Sequence, residues 1–125
     1  MTALRPRYDD RQAFVDRVND VQRPQGYRLV GAFEDDRVVG VAGFRLIENL
    51  AWGRSLYVDD LSTLPQARRR GHAARLLEWC AEEAARLGCD ELHLDSGLGP
   101  ERSDAHRLYF NQGLRITAFH FARRV

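Results

Sequence analysis

DDLSTLPQARRRGHAARLLEWCAEEAARLG, residues 59–88, joins the end of a strand-like segment to the most regular helical pattern in the chain. From Arg70 to Leu87 the apolar positions Ala73, Leu77, Cys80, Ala84 and Leu87 fall on one stripe, and Gly88 follows as a C-cap. Three arginines and a Gly71-His72-Ala73 step stand in front of that helix. A helix that begins directly after a strand points its first unpaired amides at whatever lies ahead, and phosphate binds readily there. Gly71 and Ala73 carry little or no side chain, so a diphosphate could approach the backbone closely, with Arg68, Arg69 and Arg70 adding charge-assisted contacts. The other reading is a solvated helix start, in which basic residues oppose the dipole. On these residues alone both stay open.

Outward from this stretch the pattern alternates. Residues 11–22, RQAFVDRVNDVQ, space Phe14, Val15, Val18 and Val21 as a short amphipathic helix ended by Arg23-Pro24. Tyr27 to Glu34 reads as a strand, Asp35-Asp36 as a tight turn, and Arg37 to Leu46 as the hairpin partner, interrupted by Gly40 and Gly43. A loop around Glu48 to Gly53 precedes a strand over Ser55 to Thr63. That strand holds an adjacent pair, Asp59 and Asp60, which is unfavourable for packing. Asp90 to Asp95 is a short strand, and Ser96 to Pro100 a turn. Ser103 to Asn111 is a helix capped by Ser103 and stopped at Gly113, and Leu114 to Phe121 is a last strand. The order is helix, three strands, helix, strand, helix, strand: an α/β mixed sheet with helices packed on it, in a single domain over 1–125.

Composition narrows the chemistry. The 125 residues suit one domain with a real core. A net charge of +1 argues against a general polyanion binder, so any anion site must be local. All 19 basic residues are arginine, which excludes a P-loop lysine, a Schiff-base lysine and a pyridoxal-phosphate anchor. The start MTALRPRYDD has no apolar signal region, and no stretch approaches a membrane span. With only Cys80 and Cys89, a reduced, soluble, cytoplasmic protein is expected. Nucleic-acid binding by Arg68 to Arg70 is disfavoured, because acids balance bases elsewhere and no basic face runs along a helix. His93, His106 and His120 show no metal-ligand spacing, so no metal is expected. Ser96 lacks the Gly-X-Ser-X-Gly elbow that a hydrolase pairing with His106 would need.

Two separated signatures resemble the GNAT superfamily of acyl-CoA N-acyltransferases. Arg68, Gly71 and Ala73, after a strand and a proline, match its Arg/Gln-X-X-Gly-X-Gly/Ala loop. Ala105, Tyr109 and Gly113 match its Ala-X-X-X-Tyr-X-X-X-Gly helix. The resemblance covers residues 27–125 and fits the first helix. MTALRPRYD, however, does not show the family's usual first strand, so the amino end reads as shortened or degenerate. Arg102 stands where many members have an asparagine, which bears on the usual contact to the cofactor's pantetheine arm.

The resemblance implies a central, mostly antiparallel sheet with a splayed parallel strand pair and flanking helices. It implies acetyl-CoA as co-substrate, its pyrophosphate held by Arg68, Arg69, Arg70, Gly71, His72 and Ala73 and its arm pairing with Leu61, Ser62 and Thr63 where two strands splay. It implies transfer to a primary amine in a ternary complex. Tyr109 would protonate the departing thiolate, and a backbone amide near Leu61 would stabilise the oxyanion. An alkylamine with a pKa near about 10.4 needs a carboxylate to help remove its proton. Asp59 and Asp60 are the candidates; strand alternation puts them on opposite faces, so only one can enter a given cleft. Asp59 aligns with the acidic position some members use. The acceptor would be a small-molecule amine or a protein amino group, with no nucleic acid or membrane involved and a homodimer through the last strand left open. The alternative is a non-catalytic acyl-CoA-binding module on the same fold.

Overall fold

Four strands in the order β1-β2-β3-β4 form the sheet: β1 (Arg28–Glu34), β2 (Arg37–Asn49), β3 (Gly53–Thr63) and β4 (Glu91–Leu94). The computed structural model describes Arg5 and residues 10–125; the expected lack of a first strand in MTALRPRYD therefore lies, Arg5 apart, outside the described residues. The chain divides into two compact units, one ending at Leu94 and one running Asp95–Val125. Among the described residues no helix is long and apolar enough to cross a membrane.

In the first unit, β1 and β2 form the expected hairpin, with Asp35 at a φ of 53° in its turn, and β2 pairs antiparallel with β3. Both strands run further than the sequence suggests. The loop expected over 48–53 shrinks to a turn at residues 50–52, with Asn49 opposite Gly53 in the ladder. β4 joins parallel, through only four pairs, Ser55↔Glu91 to Val58↔Leu94.

Helix α1 (Arg11–Arg17) is N-capped by Asp10, whose carboxylate accepts from the amides of Gln12 and Ala13. The expected helix to residue 22 continues as a π-helical turn, Val18–Gln22, and does not stop at Arg23-Pro24. Pro24 sits inside a further 3-10 turn, where its missing N–H costs nothing, and Gly26 closes the run at a φ of 95°. Helix α2 (His72–Arg86) lies within the expected 70–87 and ends at Gly88 with a φ of 75°. It buries Leu76, Leu77, Cys80 and Ala84 against Ala42, Phe44, Leu56 and Val58 of the sheet, and Phe44 meets Trp79 at a ring separation of 5.8 Å. Each fully buried leucine here contributes about 1.5–3 kcal/mol of transfer free energy. Gly40 admits this packing, since a Cβ there would lie 3.3 Å from Leu76 Cδ1.

The second unit holds a 3-10 turn, Pro100–Arg102, and helix α3 (Ser103–Asn111). Ser103 is not the cap. The 3-10 turn delivers it already helical, at φ −59° and ψ −41°, so Arg102 occupies the N-cap position without a side-chain bond. The strand expected over Leu114–Phe121 is not formed. Alternating apolar residues make a segment capable of pairing, but this unit contains no second strand to supply a ladder, and Ile116, Phe119 and Phe121 are exposed.

Candidate active site

The sheet forks beyond Val58. β4 ends at Leu94, while β3 continues to Thr63, still paired with β2 (Thr63↔Gly40). From Asp59 to Thr63 the outer edge of β3 therefore has no β4 partner, and Leu61, Ser62 and Thr63 present main-chain donors and acceptors along it. The chain then takes a 3-10 turn, Pro65–Ala67, instead of passing straight from strand to helix. Ala67 is buried and anchors the turn.

Left-handed backbone at Arg69 (φ 64°) and Gly71 (φ 80°) shapes the loop before α2. Gly71 is the N-cap and supplies no side-chain bond, so the first amides of α2, His72 and Ala73 among them, have no intrahelical acceptor. Nothing stands within 4 Å of where a Gly71 Cβ would be, so the surface in front of those amides is open. The arginines divide. Arg68 and Arg69 are exposed and form no ion pair among the described residues. Arg70 Nη1 donates to Glu34 Oε1 at 2.8 Å, and His72 Nε2 lies 2.7 Å from the same oxygen. Contact with His72 and Arg70 holds the Glu34 carboxyl below its ordinary range. Glu34 carries no local signal, since it lies 36 residues before Arg70 and reaches it only through the fold.

On the face of the sheet away from α2, Asp59 and Asp60 do not diverge as strand alternation requires. The β2–β3 register shifts between Gly43 and Phe44: Gly43 pairs with Asp60 and Phe44 with Val58, leaving Asp59 as an extra residue. Asp60 Oδ2 accepts from the Tyr27 hydroxyl at 2.7 Å, and that ring stands over Gly43. Asp59 takes a two-pronged bond from Arg45, 2.7 Å at each oxygen. Gly43 and Arg45 are two apart on β2 and share a face, so the bulge brings both carboxylates to that face. Burial, the Asp60 hydrogen bond and the nearby carboxylates push the Tyr27 phenol well above its ordinary pKa. Arg45 also lies 5.5 Å over the Tyr57 ring, and Trp52 stacks on both Tyr57 and His93. Trp52 and Tyr57 thus form part of this aromatic layer.

Asp60 also lines a cavity of about 160 Å³ with Phe14, Val18, Gln22, Tyr27 and the arginines Arg5 and Arg17. Phe14, Val18 and Gln22 lie four residues apart along α1 and its π-helical turn, a spacing that keeps them on one side of the helix.

In the second unit Tyr109 is half-buried on α3, and burial raises its phenol above the ordinary value, so it carries its proton at neutral pH. His106 Nε2 lies 3.0 Å from Ser96 Oγ and 2.9 Å from the Gly97 carbonyl. A carbonyl only accepts, so this nitrogen carries the proton and cannot take one from Ser96, which leaves no activated serine. Among the described residues no group of three His, Cys, Asp or Glu could hold a metal ion. Cys80 is buried, its thiol pushed up to about 11 by desolvation.

The family model described as Acetyltransferase (GNAT) family matches residues 2–113. The chain belongs to the GNAT acetyltransferase family. It is 27% identical over 126 residues to the uncharacterized N-acetyltransferase YhdJ of Bacillus subtilis strain 168, covering 100% of this chain and 87% of that one. It is 30% identical over 117 residues to the aminoalkylphosphonate N-acetyltransferase of Salmonella typhimurium, covering 91% and 73%. The solved aminoglycoside N-acetyltransferase AAC(6')-Iy, in complex with CoA, superposes with a TM-score of 0.74 at 18% identity, over 91% of this chain and 87% of that one, and shares the fold. This GNAT protein is an N-acetyltransferase, moving an acetyl group onto an amine.

Proposed function

We propose that the chain, working as one domain over 1–125, transfers the acetyl group of acetyl-CoA directly to the primary amine of a small molecule in a ternary complex. The observation that carries this reading is the pairing of two unsatisfied backbone surfaces next to each other in sequence: the open β3 edge at 59–63 and the uncapped start of α2. The first suits the amides of a pantetheine arm, at Leu61, Ser62 and Thr63. The second suits a pyrophosphate, at the His72 and Ala73 amides, with Gly71 keeping the approach clear and Arg68 and Arg69 free to add charge. Arg70 takes a supporting role in this reading, since Glu34 already holds it beside His72.

Acetyl-CoA supplies the thioester. Asp60 takes one proton from the ammonium, the neutral amine nitrogen forms its bond to the acetyl carbon as the carbon–sulfur bond breaks, Tyr109 gives its phenolic proton to the sulfur, and the second nitrogen proton restores the Tyr109 phenol. Asp60 is preferred to Asp59 because it is the one that lines the cavity, while Asp59 is held by Arg45 in a two-pronged bond. The Salmonella relative is named for an aminoalkylphosphonate and the solved neighbour for an aminoglycoside, which favours a small-molecule acceptor over a protein amino group. The free cysteines favour a reducing cytoplasmic setting. The exposed Ile116, Phe119 and Phe121 favour a homodimer.

Acetyl-CoA is expected to raise the melting temperature of the purified chain, and Gly71→Glu to abolish that rise by placing a carboxylate against the pyrophosphate. A panel of small amines scored by free-thiol release should then give turnover that Tyr109→Phe lowers. Stabilisation without turnover across the panel would leave a binding module; no stabilisation would refute the reading.

A further inference from the structure

The fork already holds a cation. Arg5 Nε donates to Asp60 Oδ1 at 2.7 Å, and Arg5 Nη2 donates to the main-chain oxygen of Asp59 at 2.9 Å. The Tyr27 hydroxyl occupies the other Asp60 oxygen and fixes the carboxylate in place. One charged oxygen and one carbonyl oxygen converging on a single position is an arrangement that an ammonium group, with its three donors, satisfies as well as a guanidinium does. Arg5 is 47% exposed against 15% for Asp60, so the arginine is the solvent-facing partner, and exposed pairs of this kind are held weakly. Arg45 on Asp59 differs: it is gripped at both oxygens and lies over the Tyr57 ring.

Behind the cation lies the cavity of about 160 Å³, walled by Phe14, Val18 and the Tyr27 ring. A cavity of about 150 Å³ accommodates benzene, so this one matches a chain of similar atom count. Phe14 and Val18 suit methylene groups, and Gln22 and Arg17 complete the lining.

Resting on the acetyl-transfer reading above, we propose that the acceptor is a short aliphatic primary amine. Its ammonium displaces Arg5 from Asp60 and the Asp59 carbonyl, and its carbons lie against Phe14 and Val18. Arg5 is the chain's own stand-in for the substrate.

The test uses the purified full chain, acetyl-CoA, n-butylamine and a multi-ring aminosugar. Arg5→Ala removes the competitor and should lower the KM for butylamine roughly three- to tenfold, leaving that for acetyl-CoA unchanged. Phe14→Trp fills the cavity and should raise the butylamine KM about tenfold, again without effect on acetyl-CoA. Methylguanidinium, a copy of the Arg5 head group, should compete with butylamine but not with acetyl-CoA. In a calorimetric titration, which needs no turnover, it should bind Arg5→Ala more tightly than the wild type. The proposal is overturned if Arg5→Ala binds methylguanidinium no better than the wild type, or if the aminosugar is the preferred acceptor and its KM ignores both substitutions. Failure to bind acetyl-CoA would instead refute the acetyl-transfer reading, while the methylguanidinium titration still decides whether the seat exists.

Discussion

The two faces of the sheet are built by different rules. Against α2, Ala42, Phe44, Leu56 and Val58 meet Leu76, Leu77 and Cys80, and the arrangement follows from side-chain volume at helical and strand spacing. On the other face Tyr27, Asp60, Asp59, Arg45, Tyr57 and Trp52 are joined by directed hydrogen bonds, ion pairs and ring stacking, over a glycine and a bulge. On the first face a change of even one methylene is felt, because close-packed side chains relax only in part. The second holds charges at positions set by directed bonds.

Gly43 offers the sharpest break in that comparison. A Cβ at this position would lie 1.7 Å from the Tyr27 hydroxyl oxygen, so Gly43→Ala must expel the ring and with it the bond to Asp60. Overpacking and loss of a charged hydrogen bond together should cost about 2–4 kcal/mol in urea unfolding. In a Tyr27→Ala background the same substitution should cost less than about 1 kcal/mol, the mark of pairwise coupling. Equal costs in both backgrounds would mean that Gly43 serves the strand alone.

The legibility of the two faces in sequence follows the same division. α2, the β1–β2 hairpin and α3 were visible because periodicity reports which side of an element is apolar, and that is a local property. The fork-side chemistry was not. That Asp59 and Asp60 share a face depends on one extra residue in the β2–β3 register, which no period of two can reveal. Tyr27, Arg45, Glu34 and Arg5 gave no local signal because each matters through a partner at least 14 residues away. The same reasoning covers Leu114–Phe121: alternation marked it as able to pair, but a strand exists only with a neighbouring edge. The proline at 24 misled in the opposite direction, since a 3-10 turn absorbs it.

Glu34 is a charged exception at the N-terminal end of α2, gripping Arg70 and His72 on either side of Gly71. Its carboxyl is held below the ordinary value of about 4.3, so the contact stabilises the fold above that pH and is lost as pH falls through the lower, folded-state pKa. The melting temperature of Glu34→Gln should therefore lie a few degrees at most below that of the wild type at neutral pH, because the group is solvent-exposed. The gap should narrow as pH falls below the ordinary carboxylate value and close once the lower, folded-state value is passed. A gap that persists in acid would assign the effect to shape rather than charge.

Ser55 is the matching exception on the fork-side face, a polar group where the surroundings behave like core. It is fully buried, and its hydroxyl has no hydrogen-bond partner among the described residues. A buried hydroxyl without a partner has given up its water for nothing, so Ser55→Ala should leave stability unchanged or raise it by up to about 1 kcal/mol. The substitution removes one oxygen and leaves the Ser55↔Ile47 and Ser55↔Glu91 ladder positions untouched, which isolates the side chain from the backbone pairing. A loss greater than about 1 kcal/mol would show that the hydroxyl is satisfied in solution, with an internal water as the natural donor or acceptor. In that case Ser55 would join the hydrogen bonding of the fork-side face, and the contrast with the α2 face would be stronger than the side-chain contacts alone indicate.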